Sequence, residues 1–275
     1  MDNNSKPGRC WFPDAARLGA VGVRLLAALA ATGIFPPMAL AEAPPQQAHY
    51  AGYVLGLHVF DMNLALALQP AAYRIEASFR LAGALGAVWH AEGSTIVSGH
   101  FSGGQAVPQE MVSTGRYWGT THVLRMNWQA GRPEMVQMVP PLEKDREPVP
   151  TSDQANTVDT LSAVAALMQL VAGTGRCDTA ARTFDGSRLA EMSAKTAGQE
   201  FLKPVDLSSF EGTALRCDLT VRMTGGFLRD EDNAKAHRPR KATVWFARLQ
   251  RDAPPIPVRM AFYSEGSPSA TAYLR

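Results

Sequence analysis

Apolar and polar side chains alternate with a period of two along most of the chain. Between positions 73 and 81, Tyr73, Ile75, Ala77, Phe79 and Leu81 alternate with Arg74, Glu76, Ser78 and Arg80. Successive side chains of a strand point to opposite faces, so the pattern predicts one buried and one wetted face. Leu215, Cys217, Leu219, Val221 and Met223 alternate with Arg216, Asp218, Thr220 and Arg222 in the same way, which places Cys217 inward. Further strands are predicted near residues 50–57, 60–68, 91–100, 123–128, 133–139, 243–249 and 258–263. Turn-forming residues, among them Gly103-Gly104 and Gly225-Gly226, separate them. Short strands at hairpin spacing describe an antiparallel meander of about ten strands.

One segment has a different period. Leu161, Val164, Ala165, Met168 and Val171 recur at three- and four-residue steps. A helix is therefore expected over residues 157–172, capped by Asn156 or Asp159 and ended by Gly173. Before it, Pro140-Pro141 and Pro148-Val149-Pro150 flank a charged run at 143–147, which reads as a solvated linker unable to continue a sheet. The expected fold is mainly β, a curved antiparallel sheet with one α-helix plugging one end.

The first 41 residues stand apart from this pattern. Arg9, Arg17 and Arg24 form a positive flank, residues 25–35 are apolar and alanine-rich, and Ala39-Leu40-Ala41 has the small-x-small form of a signal-peptidase site. The expected organisation is a signal peptide at 1–41, cut before Glu42, and a single exported β-rich domain at 42–275. An uncleaved anchor is the alternative, but the apolar run is shorter than the roughly 20 residues a membrane-spanning helix needs.

Removing the signal changes the charge and the cysteine count. The whole chain holds 27 basic and 25 acidic residues; taking away four and two leaves 23 of each, a neutral domain with no basic surplus to suggest nucleic acid. Cys10 goes with the signal, leaving Cys177 and Cys217, an even pair in a chain bound for an oxidising compartment. A bridge between them closes a loop of about 41 residues; two buried thiols are the alternative. The mixed-sign stretch from Arg229 to Lys241 reads as an exposed hairpin loop.

Catalytic chemistry finds little support. The chain has no G-x-S-x-G elbow, H-E-x-x-H, Walker loop or G-x-G-x-x-G. His90 and Glu92 share a strand face with His100 further along, which falls short of a metal site, and no cofactor is expected. Aromatic residues on predicted strands suggest a greasy interior, either ordinary core or a groove for a lipid tail or extended peptide. In the groove reading Trp128, Trp245 and Phe246, with Leu161 and Met168 of the helix, line the concave side. A transmembrane barrel fits poorly with the long helix, the cysteine pair and the ending Ala272-Tyr273-Leu274-Arg275. After signal cleavage the chain is therefore not expected to be an integral membrane protein.

Several short motifs occur in a fixed order: Tyr50-x-Gly52 with Gly56, Tyr73, Asp159-x-Leu161-Ser162, Phe184-Asp185-Gly186-x-Arg188 and Pro257-Val258-Arg259. In this order the chain resembles the bacterial exported proteins catalogued as domain of unknown function 3108. The resemblance implies a periplasmic protein whose strongly curved sheet, an open barrel or β-spiral, wraps around a helix. In outline it is similar to alphaproteobacterial envelope-integrity proteins, whose β-spiral is closed by a disulfide, and more distantly to lipoprotein carriers. No catalytic residue comes with it. The function expected is a non-catalytic role in cell-envelope homeostasis, binding a lipid, a peptide or an envelope protein. A hydrolase or isomerase of envelope polymers using His90, Glu92 and Arg125, or a scaffold pairing through a strand edge, are the rivals.

Overall fold

The computed structural model describes residues 45–144, 146–229, 236–264 and 267–275. The signal peptide expected at 1–41 lies outside them, as does part of the mixed-charge stretch. Among the described residues the chain forms β1 (Gln46–Val54), β2 (Leu57–Leu68), β3 (Ala72–Leu81), α1 (Gly83–Val88), β4 (Ala91–Ser102), β5 (Gln105–Tyr117), β6 (Thr120–Gln129) and β7 (Arg132–Val139). Then follow α2 (Thr160–Thr174), β8 (Thr179–Phe184), β9 (Leu189–Leu202), β10 (Gly212–Gly225), β11 (Arg240–Ala247), β12 (Ile256–Ser264) and β13 (Ser267–Leu274). All strands pair antiparallel in one sheet of order β7-β6-β5-β4-β3-β2-β1-β13-β12-β11-β10-β9-β8. The sheet is thus two meanders joined where the first strand meets the last.

Alternation decides which face is buried. On β3, Tyr73 and Ile75 are buried while Arg74 and Glu76 are exposed. The sheet must also curl. Helix α2 packs against β3, β4 and β5 and also against β8, although β4 and β8 stand nine positions apart in the strand order. At about 4.8 Å per strand a flat sheet would separate them by roughly 43 Å, whereas a helix is only about 10 Å across. The two ends therefore bend toward each other around α2, and the face carrying Tyr73 becomes the inner one.

Asp159 caps α2, its carboxylate accepting from the Ser162 backbone N–H at 2.8 Å. The helix runs past Gly173 and ends at Gly175, whose φ of 66° is the left-handed turn that glycine adopts without a Cβ clash. Both ends thus shift C-terminally from the expected 157–172. Ser162, Ala163, Ala165, Leu167, Met168 and Val171 are all buried, so α2 is a core helix with little wetted face. Just beyond it Cys177 bonds to Cys217 of β10, with Cα atoms 5.9 Å apart, clamping the helix exit to the sheet.

The expected solvated linker takes a different form. Among the described residues β7 and β8 do not pair, so the sheet does not close, and the segment before α2 lies in the opening. Asn156 N–H donates to Gly131 O (2.8 Å) at the β6–β7 turn, and Val158 forms a parallel bridge to Thr183 on β8. Arg182 of β8 donates to the carbonyls of Asp153 (2.7 Å) and Ala155 (3.2 Å). Arg146 is only 7% exposed, with its guanidinium on Glu143 and on the Gly226 carbonyl (2.7 Å). A proline-rich segment that cannot extend a ladder still pairs with the β8 edge through Val158 and reaches the β6–β7 turn, while the β7 edge stays largely exposed.

Candidate functional site

Of the five residues expected to line a groove, Trp128, Trp245, Phe246 and Met168 are buried and Leu161 is partly buried. Trp128 of β6 is buried and donates its indole N–H to Thr157 O at 2.9 Å. Met168 is completely buried and Leu161 packs partly buried against the same core. Phe246 lies opposite Leu215 on β10 and shares the inner face with Cys217. Trp245, one residue earlier, points to the opposite face. It lies beside Arg216 and Arg259, donates to the Glu200 carboxylate at 2.9 Å, and carries the Arg259 guanidinium 5.6 Å from its ring centroid. The two-residue period of a strand is the reason, and it corrects the expectation that Trp245 and Phe246 share one concave lining. None of the five lines either cleft described below.

Of the polar groups, His90 and Glu92 stay two residues apart where β4 begins, while Arg125 lies on β6 and His100 near the other end of β4. Glu92 and His100 lie eight residues apart on β4, about 26 Å along an extended strand. Glu92 pairs with Arg116, whereas Arg125 pairs with Val112, four residues further along β5, so the two are not in hydrogen-bond reach.

The largest described cleft, about 630 Å3, opens at one mouth of the curl. Its floor follows from two glycines. Tyr117, at the end of β5, folds its ring back over Gly115 and across to Gly93 on β4, and a Cβ at either glycine would collide with that ring or its hydroxyl. Phe79 stacks on Tyr117 with centroids 6.0 Å apart and His122 meets it edge-on at 5.1 Å. Burial raises the Tyr117 phenol above its usual value, so it stays protonated at neutral pH. Leu124 of β6 and its partner Met138 of β7 continue the wall, and Val139, Pro140, Pro141 and Leu142 form a lip. Trp118 sits at the tip of the β5–β6 turn with φ of 49° and is 74% exposed, an apolar ring held at the rim.

The far wall is the β8–β9 turn, Asp185, Ser187 and Arg188. The Asp185 carboxylate accepts from Ser187 N–H (2.9 Å), Ser187 Oγ (3.0 Å) and Arg188 N–H (2.7 Å), so the turn itself occupies this acid. Asp185 and Arg188 also border a smaller cavity of about 140 Å3, which reaches the first residue of α2, Thr160, and the inner-face residues Met192, Val221 and Met223. Arg238 and Arg240 complete its lining. Neither cleft was legible in sequence, because each joins elements distant in the chain at the β8–β9 turn, and the larger one adds a segment that read as linker. The one signal was the Phe184-Asp185-Gly186-x-Arg188 motif, which marks the shared wall.

Among the described residues no group of three or more His, Cys, Asp or Glu side chains could hold a metal, and no helix is long and apolar enough to cross a membrane. No curated protein matches the chain. Among solved structures it is similar to a β-barrel-like protein of domain of unknown function DUF1849 from Brucella abortus. Identity is 12% and the TM-score 0.49, over 84% of this chain and 96% of that one. The family model described as a protein of unknown function, DUF3108, matches residues 47–275, nearly the whole of the folded unit at Ala43–Arg275, and the chain therefore belongs to that family.

Proposed function

We propose that this chain is an exported, non-catalytic periplasmic protein that supports cell-envelope homeostasis by holding an apolar or extended ligand at the mouth of its curled sheet. The observation that carries the reading is the cleft of about 630 Å3, walled by Tyr117, Leu124, Met138 and Pro140 and rimmed by the exposed Trp118. That volume falls within the roughly 300–1,000 Å3 of ordinary small-molecule sites, and one wall is apolar while Ser113, His122, Asp185 and Arg188 make the rest polar. The Cys177–Cys217 bond supports an oxidising location. The ligand therefore sits beside the helix-filled core, at a site displaced from Trp128, Phe246 and Met168.

Mass spectrometry of protein purified without detergent tests this, together with titration of delipidated protein with fatty acids, lysolipids and envelope extract while tryptophan emission is followed. A co-purifying apolar compound, and an emission change lost in Trp118→Phe, is the expected result. Silence in both measurements would overturn the reading.

A second reading, pairing with an envelope protein through a strand edge, is favoured by β7. This edge strand is largely exposed, Val136 and Met135 included. Sizing of the purified protein against pull-down from envelope extract separates the two, since only edge pairing makes capture sensitive to a proline placed in β7.

A further inference from the structure

We infer that the ligand is a single-chain amphiphile with an anionic head, its carboxylate or phosphate held by Arg188 and Arg240 while its chain lies along Leu124 and Met138. This deepens the binding reading above and rests on it. The first observation is a break in pattern on β11. Val244 pairs with Cys217 and Ala242 with Leu219, so the even positions of this strand face inward, and Arg240, opposite Val221, continues the same row. A guanidinium thus ends an apolar inner row, in a cavity otherwise floored by Met192, Val221 and Met223. At this strand end Arg240 is exposed enough to stay hydrated when the site is empty.

The second observation is the charge balance of the shared wall. Arg188 borders both cavities. Of the described acids that line these cavities, Asp185 is taken up by three hydrogen bonds of its own turn, and Glu143 is paired with Arg146. Among the described residues neither Arg188 nor Arg240 has a side-chain hydrogen bond or ion pair. The two guanidiniums line one small cavity, and Arg188 joins it to the adjoining cleft of Leu124 and Met138, an arrangement that matches an anion joined to a hydrocarbon chain. Planar forked donors suit carboxylate and phosphate oxygens, and the adjoining apolar wall suits the chain. An uncharged lipid would leave the guanidiniums without a partner, and a free anion would leave the apolar wall unused.

The experiment is calorimetric titration of the delipidated full-length protein with palmitate, lysophosphatidylglycerol, hexadecanol and inorganic phosphate, repeated on Arg188→Gln, Arg240→Gln and Leu124→Asp. Palmitate and lysophosphatidylglycerol are expected to bind at least tenfold more tightly than hexadecanol. Each arginine variant should reduce that preference at least tenfold while leaving hexadecanol unchanged, and Leu124→Asp should weaken all chain-bearing probes. Equal affinity for palmitate and hexadecanol, or arginine variants without effect, overturns the anionic head and leaves the apolar site standing. Phosphate binding as tightly as palmitate replaces the amphiphile with a simple anion. No binding of any chain-bearing probe overturns the apolar site and this inference with it. Melting curves establish folding, and Arg188, exposed on a turn, supplies the decisive variant should Arg240→Gln be unstable.

Discussion

The phenol of Tyr73 on β3 donates a 2.7 Å hydrogen bond to Ser162 Oγ on α2. Ser162 Oγ in turn donates to the carboxylate of its own helix cap, Asp159. All three residues are buried, so this relay fixes the rotation of the helix inside the curl. Tyr73→Phe removes one donor and leaves the Ser162–Asp159 link, which should cost about 1 kcal/mol. Ser162→Ala leaves both the phenol and a carboxylate oxygen without partners, and should cost roughly 2–3 kcal/mol. Urea unfolding of the two variants checks the order; equal losses would count against a relay.

Asp159 also sets a pH dependence. Burial raises its pKa, and the hydrogen bonds from Ser162 offset this only in part. In the unfolded chain an aspartate titrates near about 3.9. Between that value and the raised one the folded state binds more protons, so stability falls as pH rises through the interval and is flat above it. Asp159→Asn keeps the capping oxygen and should abolish that fall. Asp178 works in the opposite sense, because its hydrogen bond from Thr196 and then Arg176 hold it low, so its contribution is lost as pH falls. The wild-type curve minus the Asp159→Asn curve isolates the cap, and a pH-independent difference would refute the assignment.

The Cys177–Cys217 bond spans a sequence separation of 40. On the chain-entropy account a loop of that size is worth roughly 4 kcal/mol, or about 8–16 °C in a domain of this length. Scanning calorimetry with and without reductant, alongside Cys177→Ala/Cys217→Ala, should show this drop in both samples. A change below about 2 °C would mean that the bond scarcely restricts the unfolded chain.

The seating of Tyr117 depends on what its neighbours lack. A valine at Gly115 would occupy the space of the Tyr117 ring, and overpacking of this kind costs about 1–3 kcal/mol. Tyr117→Ala should remove most of that penalty when combined with Gly115→Val. A double-mutant cycle measures the coupling, and additive losses would show that the ring does not rest on the glycine.

Sequence patterning was informative where inward residues are large. β3 and β10 announce themselves through Tyr73, Ile75, Leu219 and Met223 against charged neighbours. β9 and β13 do not, because their inward positions include Ala194 and Ala272, which fill space beside the helix without marking a hydrophobic period. β5 hides behind Pro108, tolerated where a bulge interrupts pairing at Ser98 and Gly99. The cysteine pair and the Asp159 cap could be read because each depends on local chemistry. The clefts could not: tryptophan is equally suited to a core and to a groove, and only the pairing register shows that Trp128 is sealed while Trp118 is open.

The meeting of β1 with β13 sets the order in which this molecule can be completed. Its register runs from Tyr50 opposite Leu274 to Val54 opposite Ala270, and the Arg275 N–H reaches back to His49 O at 2.8 Å. Each flanking meander can grow hairpin by hairpin as the chain emerges, but β1 keeps one bare side until the final eight-residue strand arrives. A truncation that removes this strand would leave two unjoined half-shells, each with an adhesive margin at what should be the middle of the sheet.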